Sequence, residues 1–211
     1  MENAEIERES MEYDLVIVGA GPSGLAAAIH AKQLNPDISI AVLEKGSEAG
    51  AHILSGAVID PSGLDELLPD WRKAPDCPLE TEVTQDQFFM LGEAGGIKIP
   101  NMFMPPLMNN HGNFIGSLGN VCRYLGQVAE NLGVEIYPGF AASALVYDEN
   151  GAVKGVQVGD MGIGRDGQPK SDFTPGIELH AKYPLLGEGA RGSLAKQAIE
   201  NAGIKDINEY K

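Results

Sequence analysis

Basic residues are scarce in this chain. Its 211 residues hold 15 Lys and Arg against 30 Asp and Glu, a formal net charge of −15 at pH 7. Nucleic-acid binding depends on clustered cations that neutralise phosphates, so that class of partner is disfavoured, as is a purely electrostatic hold on anionic lipid. Cysteine is scarcer still. Cys77 and Cys122 are the only two, and they form no C-x-x-C pair, zinc spacing or disulfide framework, which fits a reduced setting. Cys122 falls in a predicted helix, as a packed residue. The histidines His30, His52, His111 and His180 are scattered without metal-ligand spacing. No run reaches the roughly 18 apolar residues of a membrane-spanning helix. Residues 1–12 are polar and acid-rich, neither a signal peptide nor an Arg-rich transit peptide, and residues 1–11 read as a flexible tail. These absences predict a protein made in the cytoplasm and kept there, or on a membrane facing it.

What is abundant is glycine, 27 residues, and its placement is informative. Leu15-Val16-Ile17-Val18 is a short apolar strand. Gly19-Ala20-Gly21-Pro22-Ser23-Gly24 is a G-x-G-x-x-G turn, and an Ala-rich helix follows. In a dinucleotide site the first glycine permits the tight turn, the second lets the backbone approach a pyrophosphate, and the third lets helix pack on strand. The helix start at Pro22 and Ser23 turns N–H groups and the positive dipole end toward the phosphates. A second strand over 38–43 ends in Glu44, twenty residues past Gly24, where an acid takes a ribose hydroxyl. That acid disfavours a cofactor with a ribose 2′-phosphate. The following loop, from Lys45 through Gly56, is where a flavin or nicotinamide ring would lie, beyond the C-terminal ends of the strands.

Further along, Asp60-Pro61 opens a short helix to about Leu68. Residues 71–79 form a turn-rich connection, 83–91 read as one strand and 96–99 as another. Residues 101–108 are an apolar, proline-broken loop, either packed over a cavity or forming a hydrophobic substrate or lipid-facing surface. His111 reads as a turn residue or a site residue. A helix is expected over 117–132 with Gly133 as its C′ residue, then a strand at 134–137. A hairpin with its turn at Asn150-Gly151 follows. Residues 159–176 read as a polar loop, 177–186 as a strand, and 194–202 as a final helix N-capped by Ser193.

The turn Gly187-Glu188-Gly189 with Arg191-Gly192-Ser193 resembles the late acid-Gly motif of flavoproteins of the hydroxybenzoate hydroxylase type, with Glu188 where many members carry Asp. That resemblance implies bound FAD, with the Glu188-Gly189 turn near its pyrophosphate and ribityl chain. It also implies that Arg123 reaches the cofactor through its guanidinium fork. Longer stretches carry a narrower resemblance. They include Gly50-Ala51-His52-Ile53-Leu54-Ser55-Gly56-Ala57, Leu67-Leu68-Pro69-Asp70-Trp71, Asn110-His111-Gly112-Asn113, Gly159-Asp160-Met161-Gly162-Ile163-Gly164 and Glu178-Leu179-His180-Ala181-Lys182. Over about residues 13–202 the chain resembles the N-terminal part of the electron-transfer flavoprotein–ubiquinone oxidoreductase family.

The family implies an α/β fold: a Rossmann-like FAD-binding domain with an interleaved α+β quinone-binding region. On that division residues 12–72 are the first part of the FAD domain, 73–113 part of the quinone region, and 114–211 the FAD domain continued. The activity implied is electron transfer from reduced electron-transfer flavoprotein to ubiquinone in the respiratory chain. It places the protein peripherally or monotopically on the cytoplasmic face of a bacterial inner membrane. The implied cofactor contacts are Gly19, Gly21, Pro22, Ser23, Gly24, Glu44, Lys45, His52, Ser55, Gly56, Arg123, Glu188 and Gly189, with no catalytic side chain and no metal ligand, because the flavin carries the redox chemistry. The family also carries a 4Fe–4S cluster, which needs four cysteine thiolates. With two cysteines the chain is expected to be an N-terminal portion without the cluster domain. The alternatives are another FAD enzyme, a monooxygenase or a geranylgeranyl-type reductase, or an inactive nucleotide-binding fragment.

Overall fold

The computed structural model describes residues 7–53, 56–164 and 168–203. The first strand, β1 (Ser10–Val18), runs into α1 (Pro22–Leu34), with Pro22 in the first helical turn and Asn35 at the C-cap. β2 (Ile40–Glu44) follows. Ile40 and Val42 face one core cluster and Ala41 and Leu43 the other. Burial on both faces explains why this strand reads as a continuous apolar run rather than an alternating one. After β3 (Ala57–Ile59) and α2 (Ser62–Leu67) come β4 (Thr81–Glu82), β5 (Phe88–Gly92), β6 (Gly95–Ile99) and β7 (Phe114–Gly116). Next is α3 (Leu118–Asn131), where the Ser117 hydroxyl accepts from the Asn120 N–H and Gly133 takes a positive φ past the end. The remainder is β8 (Glu135–Pro138), β9 (Ala142–Tyr147), β10 (Val153–Val158), β11 (Met161–Ile163), β12 (Pro169–Thr174), β13 (Glu178–Leu186) and α4 (Ser193–Asn201).

Six strands form the main sheet in the order β8-β2-β1-β13-β10-β9. β8, β2, β1 and β13 are parallel, while β10 and β9 join antiparallel. α1, α3 and the fully buried Trp71 cover one face; Leu194 and Ala198 of α4 pack on the other. The register sets Val18 beside both Leu43 and Leu186, and Glu44 beside Pro138. Four parallel strands therefore end together, and the turns that follow them leave from one edge. β3, β7 and β4 form a separate three-stranded sheet, and β5 and β6 a hairpin.

The α/β class with a parallel nucleotide-binding sheet matches the sequence reading, as does the β9–β10 hairpin, whose Asp148 carboxylate accepts from the Asn150 and Ala152 N–H groups. Three expectations are corrected. The tail expected at 1–11 overlaps β1, since Ser10 to Tyr13 pair with Glu178 to Ala181 of β13; residues 1–6 lie outside the described residues. The strand expected over 83–91 is broken, because Asp86 is engaged from the loop beyond β6: its carboxylate accepts from the Asn110 N–H at 2.7 Å and its carbonyl from Asn101 Nδ2 at 3.0 Å. The polar loop at 159–176 instead forms the β11–β12 hairpin, closed at its base by Asp160. That carboxylate pairs with the Arg8 guanidinium and accepts from the Gly176 N–H at 2.8 Å, while Arg8 also donates to the Gly176 carbonyl.

The Arg8 hydrogen bond, with that from Gly176, holds Asp160 below the usual carboxylate range. A lowered folded-state value means that its contribution is full above the unfolded value of about 3.9 and is lost as pH falls through the lowered one. Asp160→Asn should cost about 1–2 kcal/mol near neutral pH, and the difference from the parent chain should shrink in acid. Urea unfolding at the two pH values measures both.

Candidate functional site

Where the parallel strands end, a cleft of about 450 Å³ opens, within the ~300–1,000 Å³ of ligand sites. Its floor is backbone. The Gly19 N–H donates to Leu43 O at 2.7 Å and the Gly187 N–H to Val18 O at 2.8 Å, which ties the turn after β1 to the end of β2 and the turn after β13 to the end of β1. Gly19 has φ +105°, and a Cβ there would lie 2.6 Å from the Gly187 carbonyl oxygen. At Gly21 a Cβ would meet nothing within 4 Å, so the backbone there faces open space. α1 begins at this point with no acidic residue in its first turn and no side-chain cap. Its first N–H groups are left for a ligand.

Glu44 bridges two walls. One carboxylate oxygen accepts from the Ala20 N–H at 3.0 Å and the other from the Gly46 N–H at 2.7 Å. A carboxylate has about four acceptor positions, so Glu44 keeps capacity for hydroxyl donors. The loop after it, from Lys45 to Ile53, rests on α3. A Cβ on Gly50 would come within 2.7 Å of Gly119 O and 3.0 Å of Cys122 Cβ, and Glu48 pairs with Arg123 at 3.0 Å. Beneath the loop, burial and then the Glu44 charge push the Cys122 thiol up to about 11.

The third wall departs from the sequence reading. Glu188 folds back onto α4: its Oε1 accepts from the Ser193 and Leu194 N–H groups and its Oε2 from Ala195 N–H at 2.9 Å. Ser193 is therefore not the N-cap. That position is Gly192, and the capping acceptor comes from Glu188, which satisfies the free donors of the first turn from outside the helix.

Of the residues expected at a cofactor, Gly19, Gly21, Pro22, Ser23, Glu44, Lys45, His52, Glu188 and Gly189 line this one cleft. Gly24 lies under it, where a Cβ would sit 2.1 Å from Gly19 O. Gly56 stands off the walls, and Ser55 lies outside the described residues. Arg123 lines a separate polar depression with Asn120 and Gln127. His111 sits in an Asn-capped turn, its N–H donating to Asn109 Oδ1 at 3.1 Å.

Sequence reasoning missed Phe140, Ala141 and Ala142, which close the side beyond Glu44, and Arg191. The first three were findable. β8 is parallel to β2, so its C-terminal connection must emerge beside Glu44. Among the described residues no group of three His, Cys, Asp or Glu side chains could hold a metal, and no helix is long and apolar enough to cross a membrane. The β5–β6 hairpin and the loop after it expose a run of large apolar side chains: Leu91 is 80% exposed, Ile97 74%, Met102 83% and Phe103 71%.

Comparison with known proteins agrees with this geometry. A family model described as NAD(P)-binding Rossmann-like domain matches residues 17–69. The chain is 55% identical over 205 residues to the electron transfer flavoprotein-ubiquinone oxidoreductase of Pseudomonas aeruginosa, covering 94% of this chain and 37% of that protein. It is 53% identical to the mitochondrial protein of that name from Dictyostelium discoideum (94% of this chain, 33% of that one) and 50% identical to that of Rattus norvegicus (97% and 33%). The chain thus spans about a third of the length of the curated relatives it matches. Among solved structures, a geranylgeranyl bacteriochlorophyll reductase-like protein from Thermoplasma acidophilum matches with TM-score 0.61 at 18% identity, over 90% of this chain and 42% of that one. A myxobacterial chondrochloren halogenase, described as a variant of FAD-dependent halogenases, matches with TM-score 0.58 at 16% identity, over 88% and 39%. At those identities the structural matches establish the fold.

Glu44→Ala should free the Ala20 and Gly46 N–H groups together, lowering stability by about 1–3 kcal/mol. It should also weaken ADP binding more than Glu44→Gln does, because the amide still offers one acceptor oxygen. Thermal melts and calorimetric titration with ADP check the two parts.

Proposed function

We propose that this chain forms the FAD cleft, and part of the quinone-facing region, of an oxidoreductase that passes electrons from reduced electron-transfer flavoprotein to ubiquinone. The observation that carries the reading is the coincidence of a cleft of dinucleotide-binding geometry with 55% identity to an enzyme of that name across 94% of the chain.

The residues fit the cofactor. Gly21 and Ser23 offer backbone donors to a diphosphate at the start of α1, Gly19 gives the tight turn and Pro22, which has no N–H, sets the first helical turn, and Glu44 has acceptor capacity for ribose hydroxyls. Lys45, His52, Ser55 and Gly56 belong to the loop that would border the ring system, with Gly189 opposite. Gly24 acts from beneath by allowing α1 to close on the turn. Arg123 supports the ring-side loop through Glu48. When bound, FAD supplies the redox chemistry. The chain's own groups bind it, orient it and exclude water from it. No side chain here is a nucleophile or general base in this reading.

An iron–sulfur cluster does not fit the chain's cysteines. Cys122 is buried with its thiol held protonated, and the Cys77 Sγ donates to Leu79 O. No electron step is routed through them.

The exposed apolar hairpin supports peripheral membrane association. Apolar side chains that sit in an interface bind lipid without a spanning helix, and a lipid-soluble quinone is met there.

The purified chain incubated with FAD should hold a flavin absorption band through gel filtration and co-sediment with neutral phosphatidylcholine vesicles. Leu91→Asp with Phe103→Asp should abolish sedimentation and leave the band. A colourless chain after incubation would overturn the flavin reading, and vesicle binding unchanged in the double variant would overturn the membrane one.

A further inference from the structure

Arg8, Arg72 and Arg123 are each paired with a carboxylate. Arg191 is not. Among the described residues its guanidinium has no hydrogen bond and no ion pair, in a chain with twice as many acids as bases. The nearest acid in sequence, Glu188, is occupied: both of its oxygens take backbone N–H groups of α4. Arg191 is exposed and lines the cleft on the wall beyond Gly189, and only Lys45 adds another lysine or arginine to the cleft's walls. Here the fold turns the local carboxylate toward a helix and leaves the cation at a ligand cleft.

We infer that Arg191 is a binding residue for the diphosphate of the dinucleotide, supplying from the β13 turn the charge that the backbone donors of α1 lack. The inference rests on the reading of this cleft as a dinucleotide site. Its chemical basis is the guanidinium fork, whose fixed donors match phosphate oxygens two at a time. Glu188 then serves as a positioning residue, since by capping α4 it fixes the short segment on which Arg191 stands.

The test is calorimetric titration of the 211-residue chain with ADP, which carries the diphosphate, and with adenosine, which does not. Arg191→Ala should weaken ADP about tenfold and leave adenosine unchanged. Arg191→Glu should weaken ADP further, and Arg191→Lys should recover part of the loss as a point charge without the fork. Lys154→Ala removes the same charge from the opposite end of the sheet, near His180, and should change neither ligand. Circular-dichroism melts identify any variant that fails to fold, in which case Arg191→Lys against the parent decides. Parental ADP affinity in Arg191→Ala, or equal loss of ADP and adenosine, overturns the inference while the dinucleotide reading stands. A parent chain that binds neither ligand overturns both.

Discussion

A Cβ on Gly19 would lie 2.6 Å from the Gly187 carbonyl oxygen, and one on Gly24 would lie 2.1 Å from the Gly19 carbonyl oxygen. Both distances are far inside van der Waals contact, and interiors packed like crystals have no slack to absorb them. Two turns more than 160 residues apart in sequence are therefore one unit. The turn after β1 rests on the turn after β13 because neither carries a side chain at the point of contact. The consequence is a cleft floor made of backbone, and backbone at a helix start offers donors. The preference for an anionic ligand that is proposed for this cleft rests on the same lack of side chains.

That preference must hold in a chain with net charge −15, whose overall field opposes it. The structure answers locally, by turning carboxylates toward protein donors. Glu44 takes Ala20 and Gly46 N–H groups, Glu188 the start of α4, Asp160 the Gly176 N–H and Arg8, and Asp86 the Asn110 N–H. Glu135 accepts from the hydroxyls of both Tyr13 and Tyr137, and burial, followed by these contacts, pushes the Tyr13 phenol upward. Charge-assisted bonds of this kind are short and strong, and each leaves less negative potential facing the solvent or the cleft.

The parts of the site that follow from backbone rules were legible in the sequence. A strand, two close glycines, a helix and an acid at the end of the next strand fix Gly19, Gly21 and Glu44, because turn geometry and strand spacing admit few alternatives. The direction a long side chain takes was not legible. Glu188 lines the cleft as the motif implies, but its carboxylate turns to the start of α4; the Arg123 guanidinium turns to Glu48, in a separate depression. In both cases the competing partner is set by tertiary packing: the path of the chain after Gly189, and the seat of the Gly50 loop on α3. The β11–β12 hairpin was not legible for a related reason. β11 is only three residues long, β12 is mostly polar and exposed, and the bond that closes the hairpin runs to Arg8, 152 residues away in sequence.

The β5–β6 region poses the opposite problem from the main sheet. The strands β1 and β2 are buried on both faces, so their apolar runs need no further explanation. A two-stranded hairpin is marginal alone in water, yet this one points Met90, Leu91 and Ile97 outward. Its stability comes from its base, where Asp86 fastens the loop carrying Met102 and Phe103 through Asn101 and Asn110. Polar bonds below hold apolar side chains outward above. Water alone would favour the reverse, with the apolar tip folded over the three-stranded sheet. An arrangement that resists that collapse suits a surface completed by an apolar neighbour, which is what the proposed membrane association would supply.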